Sequence, residues 1–338
     1  MATLKERKEQ FVSDLVGGSV LEIDLITGIP LWAYTVYQLI KSTLLEVPFV
    51  VDFAINALSI LLAITIYSDK ITQLYLLIAL PILILAISKF ASKKILPNAK
   101  NATHSSTDIL RRKAFLTVYR SQMIIITNLS ILAVDFNIFP RRFAKVETWG
   151  TSLMDLGVGS FVFSMGLVNA RDLIKQLYTS TNYKFLLTSY LSLIKKNTIK
   201  TIPVLVLGIL RLVSVKSLEY QEHVTEYGVH WNFFFTLGFL PVIIAILDPL
   251  LQCFPRVLVA FGISSLYEII LSNTDLLRFV LSNESRGDSL FTQNKEGIFS
   301  FIGYLSIFIF GPSFGSFVLT HVNTPANLSY LPHSKSAA

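Results

Sequence analysis

The apolar residues of this chain recur in runs close to twenty long, and that length constrains its fold more than any other feature. About 20 apolar residues in an α-helix cross the ~30 Å hydrocarbon core of a bilayer. Lipid offers backbone groups no water, so such runs are helical unless they close into a barrel. Charged residues make up only 15% of the 338, well below the roughly 25% of a soluble domain. A large soluble core does not repeat membrane-length runs this often. The expected fold is all-α: a polytopic transmembrane helical bundle of about nine spans, forming one membrane domain over residues 1–320 with a polar tail at 321–338.

Taken in order, the first span ends at Ile40 and starts near Ile23 or Ile29. The others are expected at 48–67, 71–91, 115–135, 153–168, 199–218, 231–247, 257–271 and 298–319. Asp24 reads as an interfacial carboxylate at the entry of the first. Asp52 and Asn56, four apart, share a helix face directed into the bundle. Pro81 is expected to kink the third span, and the seventh to stop at Asp248-Pro249. Tyr183–Ile194 has helical apolar spacing and is expected to lie on the bilayer surface. The N-terminal residues carry charge without the apolar core of a cleavable signal.

Sidedness follows from Lys and Arg close to the span ends. The basic loops 93–113 and 171–196 are expected to be cytosolic. The N-terminus and the loops 136–152, 219–231 and 272–297 are then lumenal. Sequons stand at Asn101, Asn283 and Asn327, and only Asn283 falls on the lumenal side in this scheme. The net charge of +7 favours anionic lipid or anionic ligands as partners, and no nucleic acid is expected. Cys253 is the single cysteine, so no internal disulfide or paired-cysteine metal site can form. Phosphate-loop and nucleophile-elbow motifs are absent from the sequence.

Two of the lumenal loops carry most of the candidate chemistry. The first runs from Val134 to Asp155 and gathers Asp135, Arg141, Arg142, Lys145, Glu147 and Asp155 between two apolar segments, while Arg120 stands at the entry of the span before it. Charge beside hydrocarbon is costly unless it is paired, hydrated or functional. Pro140 turns the chain sharply and is expected to bring Asp135 back toward Lys145. Such a pair fits a base that deprotonates a hydroxyl beside a cation that supports the oxyanion. It fits a structural ion pair equally well. Arg141 and Arg142 are either anchors at a helix end or bidentate phosphate ligands. The second loop holds Glu219, Glu222, His223, Glu226 and His230. Two histidines seven apart, with Gly228 between them, argue against a metal site, and none is expected. The plainer reading is a hydrated turn with Tyr227 and Trp231 in an aromatic belt.

The segment Ala133–Phe163, the segment Leu218–Phe234 and the run Lys295-Glu-Gly-Ile-Phe-Ser-Phe-Ile-Gly-Tyr304 closely resemble the Gwt/PIG-W family, in wording of budding-yeast type, and the likeness covers most of residues 4–320. The resemblance implies an acyltransferase of glycosylphosphatidylinositol (GPI) anchor synthesis, multi-pass in the endoplasmic-reticulum membrane. It would move a fatty acyl group, typically palmitoyl, from acyl-CoA to the inositol of glucosaminyl-phosphatidylinositol. Acyl-CoA is a co-substrate, and no bound cofactor is expected. The family's proposed catalytic aspartate and lysine fall on Asp135 and Lys145. Arg120, Arg141, Arg142, Glu147, Asp155, His223, Glu226 and His230 are the expected substrate contacts, and the Phe-rich ninth span is a candidate wall for the acyl chain. Members of that family continue, with further membrane helices, past the point at which this sequence stops. A lipid transporter or flippase, and a non-catalytic subunit of the same pathway, are the rival readings of these buried charges.

Overall fold

A computed structural model describes residues 15–42, 46–92, 113–146, 150–179, 187–217, 224–282 and 289–319. Among them all regular structure is helical. The long helices are α1 (Val20–Lys41), α2 (Phe49–Ile64), α3 (Ile71–Ser92), α4 (Ala114–Ala133), α5 (Leu153–Thr179), α6 (Leu187–Ser217), α8 (Phe233–Cys253), α9 (Arg256–Asn273) and α12 (Lys295–Leu319). Three short ones, α7 (Val224–Tyr227), α10 (Leu276–Leu281) and α11 (Leu290–Gln293), lie in the connections.

Six of these helices, namely α4, α5, α6, α8, α9 and α12, are long and apolar enough to cross a membrane. The three segments expected as the first spans are also helical: α2 falls short of that length, and α3 runs for 22 residues. In α1 the polar Asp24, Thr27, Thr35 and Gln38 interrupt the apolar run. The exposed surface of the long helices is rich in large apolar side chains, among them Leu80, Leu83, Ile209, Val213, Phe261 and Leu266, as lipid contact demands.

The chain divides into two compact units, one built up to Val158 and the other from Gly159 onward. In unit one, α1 is capped by Ser19, whose hydroxyl accepts from Glu22 N–H at 3.2 Å. Its buried face is Ile23, Ile26, Ile29, Ala33 and Val36, at helical spacing, and it packs on α2 and α3. Pro30 sits inside α1, and its carbonyl accepts from Gln122 of α4 at 2.9 Å. The Tyr75 hydroxyl of α3 donates to the Leu25 carbonyl at 2.6 Å. Helix α2 opens into a π-helical turn at Ala54–Leu58, beside which Asn56 donates to Asp52 at 2.6 Å. That pair does share one half-buried face.

Unit two is assembled around α12, half of whose membrane-length window is buried, more than in any other candidate span. Gly311 and Gly315 make this possible. A Cβ on Gly311 would stand 2.7 Å from the Leu167 nitrogen of α5, and one on Gly315 2.5 Å from the Leu167 carbonyl oxygen. Such small-residue spacing lets two membrane helices approach backbone to backbone. The core between α5, α8, α9 and α12 is Val162, Leu240, Leu251, Ala260, Leu305, Phe308 and Ile309.

Several boundaries differ from expectation. Pro249 does not end its helix: α8 runs through it to Cys253, as α3 runs through Pro81. A proline deletes one N–H, and within a bundle the neighbouring turns absorb the loss. The expected surface helix at 183–194 is not a separate element from Leu187 on, because α6 is continuous for 31 residues. Helices also occupy 171–179 and 187–196 of the basic stretch 171–196, and residues 180–186 lie outside the described residues. The basic loop 93–113 is outside them up to Arg112, and all three sequons are outside as well.

Candidate functional site

In unit one the charge-dense segment forms a compact turn, and most of its polar residues have a local task. Helix α4 stops at Ala133, and Val134–Phe139 turns back on itself. Phe139 and Phe143 drive this turn into the core: both are fully buried and meet edge to face at 6.0 Å between ring centroids. Between them Pro140 opens a single 3-10 turn, Arg141–Phe143. The Arg141 guanidinium folds back on the turn that carries Asp135. It donates to the Phe136 carbonyl at 3.0 Å and to the Phe139 carbonyl at 3.1 Å, and lies over the Phe139 ring. Burial lowers the pKa of this guanidinium, and the nearby Asp135 carboxylate pushes it back up. Asp135 itself is exposed.

Arg142 faces the other way. It donates to Glu22 at 2.9 Å and to Asp69 at 2.5 Å, and its guanidinium lies 4.9 Å from the Phe143 ring centroid. Burial alone would lower its pKa, but the hydrogen bonds and charges of Glu22 and Asp69 hold it above the usual value. Arg142 thus ties the motif segment to the start of α1 and to the turn before α3. A second tie runs along the backbone: Gly18 N–H donates to the Thr151 carbonyl at 2.9 Å. Gly17 and Gly150 sit at φ +80° and +144°, and a Cβ on either would meet a carbonyl of the facing segment, that of Thr151 or Val16, within 2.4 Å. Only glycine fits there.

Lys145 stands half-buried between these fixtures. On one side Ala144 is buried; on the other, Val146 N–H donates to the Asp155 carboxylate at 3.3 Å. Asp155 also accepts from the Ser152 hydroxyl at 2.7 Å, and Ser152 accepts from Asp155 N–H at 3.3 Å. Ser152 thus caps the first turn of α5, with its hydroxyl bonded to both the N–H and the carboxylate of Asp155.

In unit two the second loop docks on the start of α12. The Asn294 side-chain oxygen accepts from the His230 and Trp231 N–H groups at 2.7 and 2.8 Å, and Val229 N–H donates to the Gln293 carbonyl at 2.9 Å. The Trp231 ring lies flat enough on Gly297 that a Cβ there would meet it at 2.5 Å, and its indole N–H donates to Thr236. Tyr227 is hydrogen-bonded to Glu226 and Tyr304. Burial first, then those two neighbours, push its phenol far up, so it stays protonated. The His230 Nδ1 is buried and finds no hydrogen-bond partner among the described residues.

Residues 4–337 match the family described as GWT1. The chain belongs to the GWT1 family. A relative from Debaryomyces hansenii named GPI-anchored wall transfer protein 1 is 56% identical over 355 positions, covering all of this chain and 72% of the relative. One of the same name from Candida albicans is 57% identical over 330 positions, 97% of this chain and 68% of its own length. In Saccharomyces cerevisiae the corresponding protein is 46% identical over 346 positions, 99% of this chain and 69% of the relative.

Within this GWT1-family chain the expected site residues separate. Asp135, Arg141, Arg142, Lys145 and Asp155 share one segment of unit one. Glu226 and His230 share the loop of unit two. Arg120 does not join the first group: it is exposed near the start of α4, fifteen residues or about 22 Å of helix from Asp135. Glu147 and His223 lie outside the described residues. Lys295 and Glu296 were not anticipated as buried, because α12 was expected to start at Ile298. Lys295 is fully buried over the Phe279 ring, with its ammonium on the Phe279 and Ser282 carbonyls at the end of α10. A cation there suits the negative pole of a helix C-terminus. The signal was present in sequence as two adjacent charges at the edge of an apolar run.

Proposed function

We propose that this chain is an O-acyltransferase of GPI-anchor biosynthesis, moving a fatty acyl group, palmitoyl in kind, from acyl-CoA to the inositol of glucosaminyl-phosphatidylinositol. Its place is the endoplasmic-reticulum membrane, with about nine spans crossing it. Membership of the GWT1 family supports the pathway, as does the name GPI-anchored wall transfer protein 1 carried by its relatives. The observation that carries the chemistry is the exposed carboxylate of Asp135 on a turn locked from behind by Arg141.

In this reading Asp135 takes the proton of an inositol hydroxyl as its oxygen attacks the thioester carbonyl. Lys145 supports the oxyanion that develops there. Collapse of the tetrahedral intermediate breaks the C–S bond. The thiolate of CoA leaves and recovers the proton from Asp135, so the carboxylate is regenerated. The donors of Arg141 and Arg142 serve the frame rather than a phosphate: Arg141 holds the Asp135 turn and Arg142 binds Glu22 and Asp69. Asp155 fixes the backbone beside Lys145. Glu226 and His230 are a second set of candidate polar contacts for substrate. The test is to give membranes bearing the chain labelled palmitoyl-CoA and glucosaminyl-phosphatidylinositol. Inositol-acylated product is the expected result. Translocation of unmodified lipid, or no product with the chain fully inserted, would favour the transporter or subunit reading.

A further inference from the structure

At the end of unit two remote from Lys295, the helices leave a small open cleft of about 50 Å³ that nothing above explains. It reaches Pro312, seventeen residues or about 25 Å along α12 from Lys295. Its rim carries three cations, Lys196 and Lys200 on α6 and Arg256 at the start of α9, against two carboxylates, Asp172 and Asp248. Both carboxylates are engaged within the protein: Lys200 donates to Asp172 at 2.8 Å and Gln252 to Asp248 at 2.5 Å. Lys196, one turn before Lys200, is exposed. Asn169 and Asn197 add amide groups to the same rim, while Pro241, Ile244, Ala245 and Pro312 give the cleft an apolar wall.

The length of α6 places this rim at a definite depth. Its 31 residues span about 46 Å, some 16 Å more than a ~30 Å hydrocarbon core. The large exposed apolar side chains of α6 crowd from Ile199 to Val213, with Lys200 at the start of that run and Arg211 near its end, so Lys195, Lys196 and Lys200 fall at the hydrocarbon edge, where lipid phosphates lie.

We propose that this cleft binds the headgroup of an anionic, phosphate-bearing amphiphile, with the phosphate on Lys196 and Lys200 and an acyl chain running down the exposed apolar surface of α6 past Ile199 and Leu207. Two kinds of molecule carry that chemistry, an anionic phospholipid and a long-chain acyl-CoA. The site is argued from charge, depth and shape, and stands whether or not acyl transfer occurs.

The full chain in detergent micelles is titrated by native mass spectrometry with phosphatidylglycerol, palmitoyl-CoA and, as the net-neutral control, phosphatidylcholine. Lys196→Glu weakens anionic binding by about tenfold at low salt, with the difference shrinking as salt rises. Asp172→Asn frees Lys200 from its carboxylate and tightens binding, a gain that misfolding does not produce. Lys216→Glu, at the other end of α6, leaves affinity unchanged. If only phosphatidylglycerol answers to these variants the occupant is a phospholipid, and if only palmitoyl-CoA does it is the acyl thioester. Binding that ignores both Lys196→Glu and Asp172→Asn, or that phosphatidylcholine matches, overturns the proposal.

Discussion

Charged side chains that look alike in the sequence do different work once their partners are known. Arg141 and Arg142 are neighbours, yet one braces the turn beneath Asp135 and the other joins three segments through Glu22 and Asp69. Sequence showed the density of charge around residues 135–155 but not these partners, since Glu22 and Asp69 lie 120 and 73 positions away. Arg142→Ala should therefore lower the stability of the full chain in detergent by about 1–2 kcal/mol, the scale of two partly exposed ion pairs. Thermal unfolding measures it, and an unchanged midpoint would remove the clamp from the account. Lys295 makes the same point from the interior. With no exposed surface, it was legible only as a charge at the edge of an apolar run. Lys295→Met should cost about 1–3 kcal/mol, because the Phe279 and Ser282 carbonyls lose the ammonium; a variant as stable as the parent would mean that water replaces the ammonium.

Helices were the most legible elements, because hydrocarbon imposes both their length and their composition. Each expected span lies on an observed helix, and the errors are at the ends. Prolines inside helices and polar residues drawn into them account for those errors: α8 runs past Pro249, and α12 begins at Lys295. The packing of one helix on another was not legible, since Gly303, Gly311 and Gly315 look equivalent in sequence. Their surroundings separate them. A Cβ on Gly315 would collide with the Leu167 carbonyl and Ala170, whereas Gly303 has nothing within 4 Å. Gly315→Leu is expected to force α12 off α5 and to reduce accumulation of folded protein severalfold, at a cost of about 1–3 kcal/mol or more. Gly303→Ala should be neutral or stabilising by up to about 1 kcal/mol. Fluorescence size-exclusion profiles of the two variants give the comparison, and equal profiles would contradict the packing assigned to α12.

For the whole molecule, sidedness connects the elements to the proposed reaction. The density of Lys and Arg in 93–113 and 171–196 predicts that those segments face the cytosol and the motif segment faces the lumen. In a Cys253→Ser background, needed because the native thiol is exposed, cysteines at positions 100 and 147 should label from opposite sides with an impermeant reagent. Labelling from one side would reverse the scheme. The central claim is that Asp135 and Lys145 carry acyl transfer and are not a structural ion pair. It is tested most directly by measuring transfer and protein abundance together in the double variant Asp135→Asn with Lys145→Met. A structural pair leaves one uncompensated charge in each single variant and recovers when both are neutral. A catalytic pair does not recover. The account predicts normal accumulation of the double variant with transfer lowered about a hundredfold or more, the scale of a lost general base. Near-parental transfer by the double variant would contradict it.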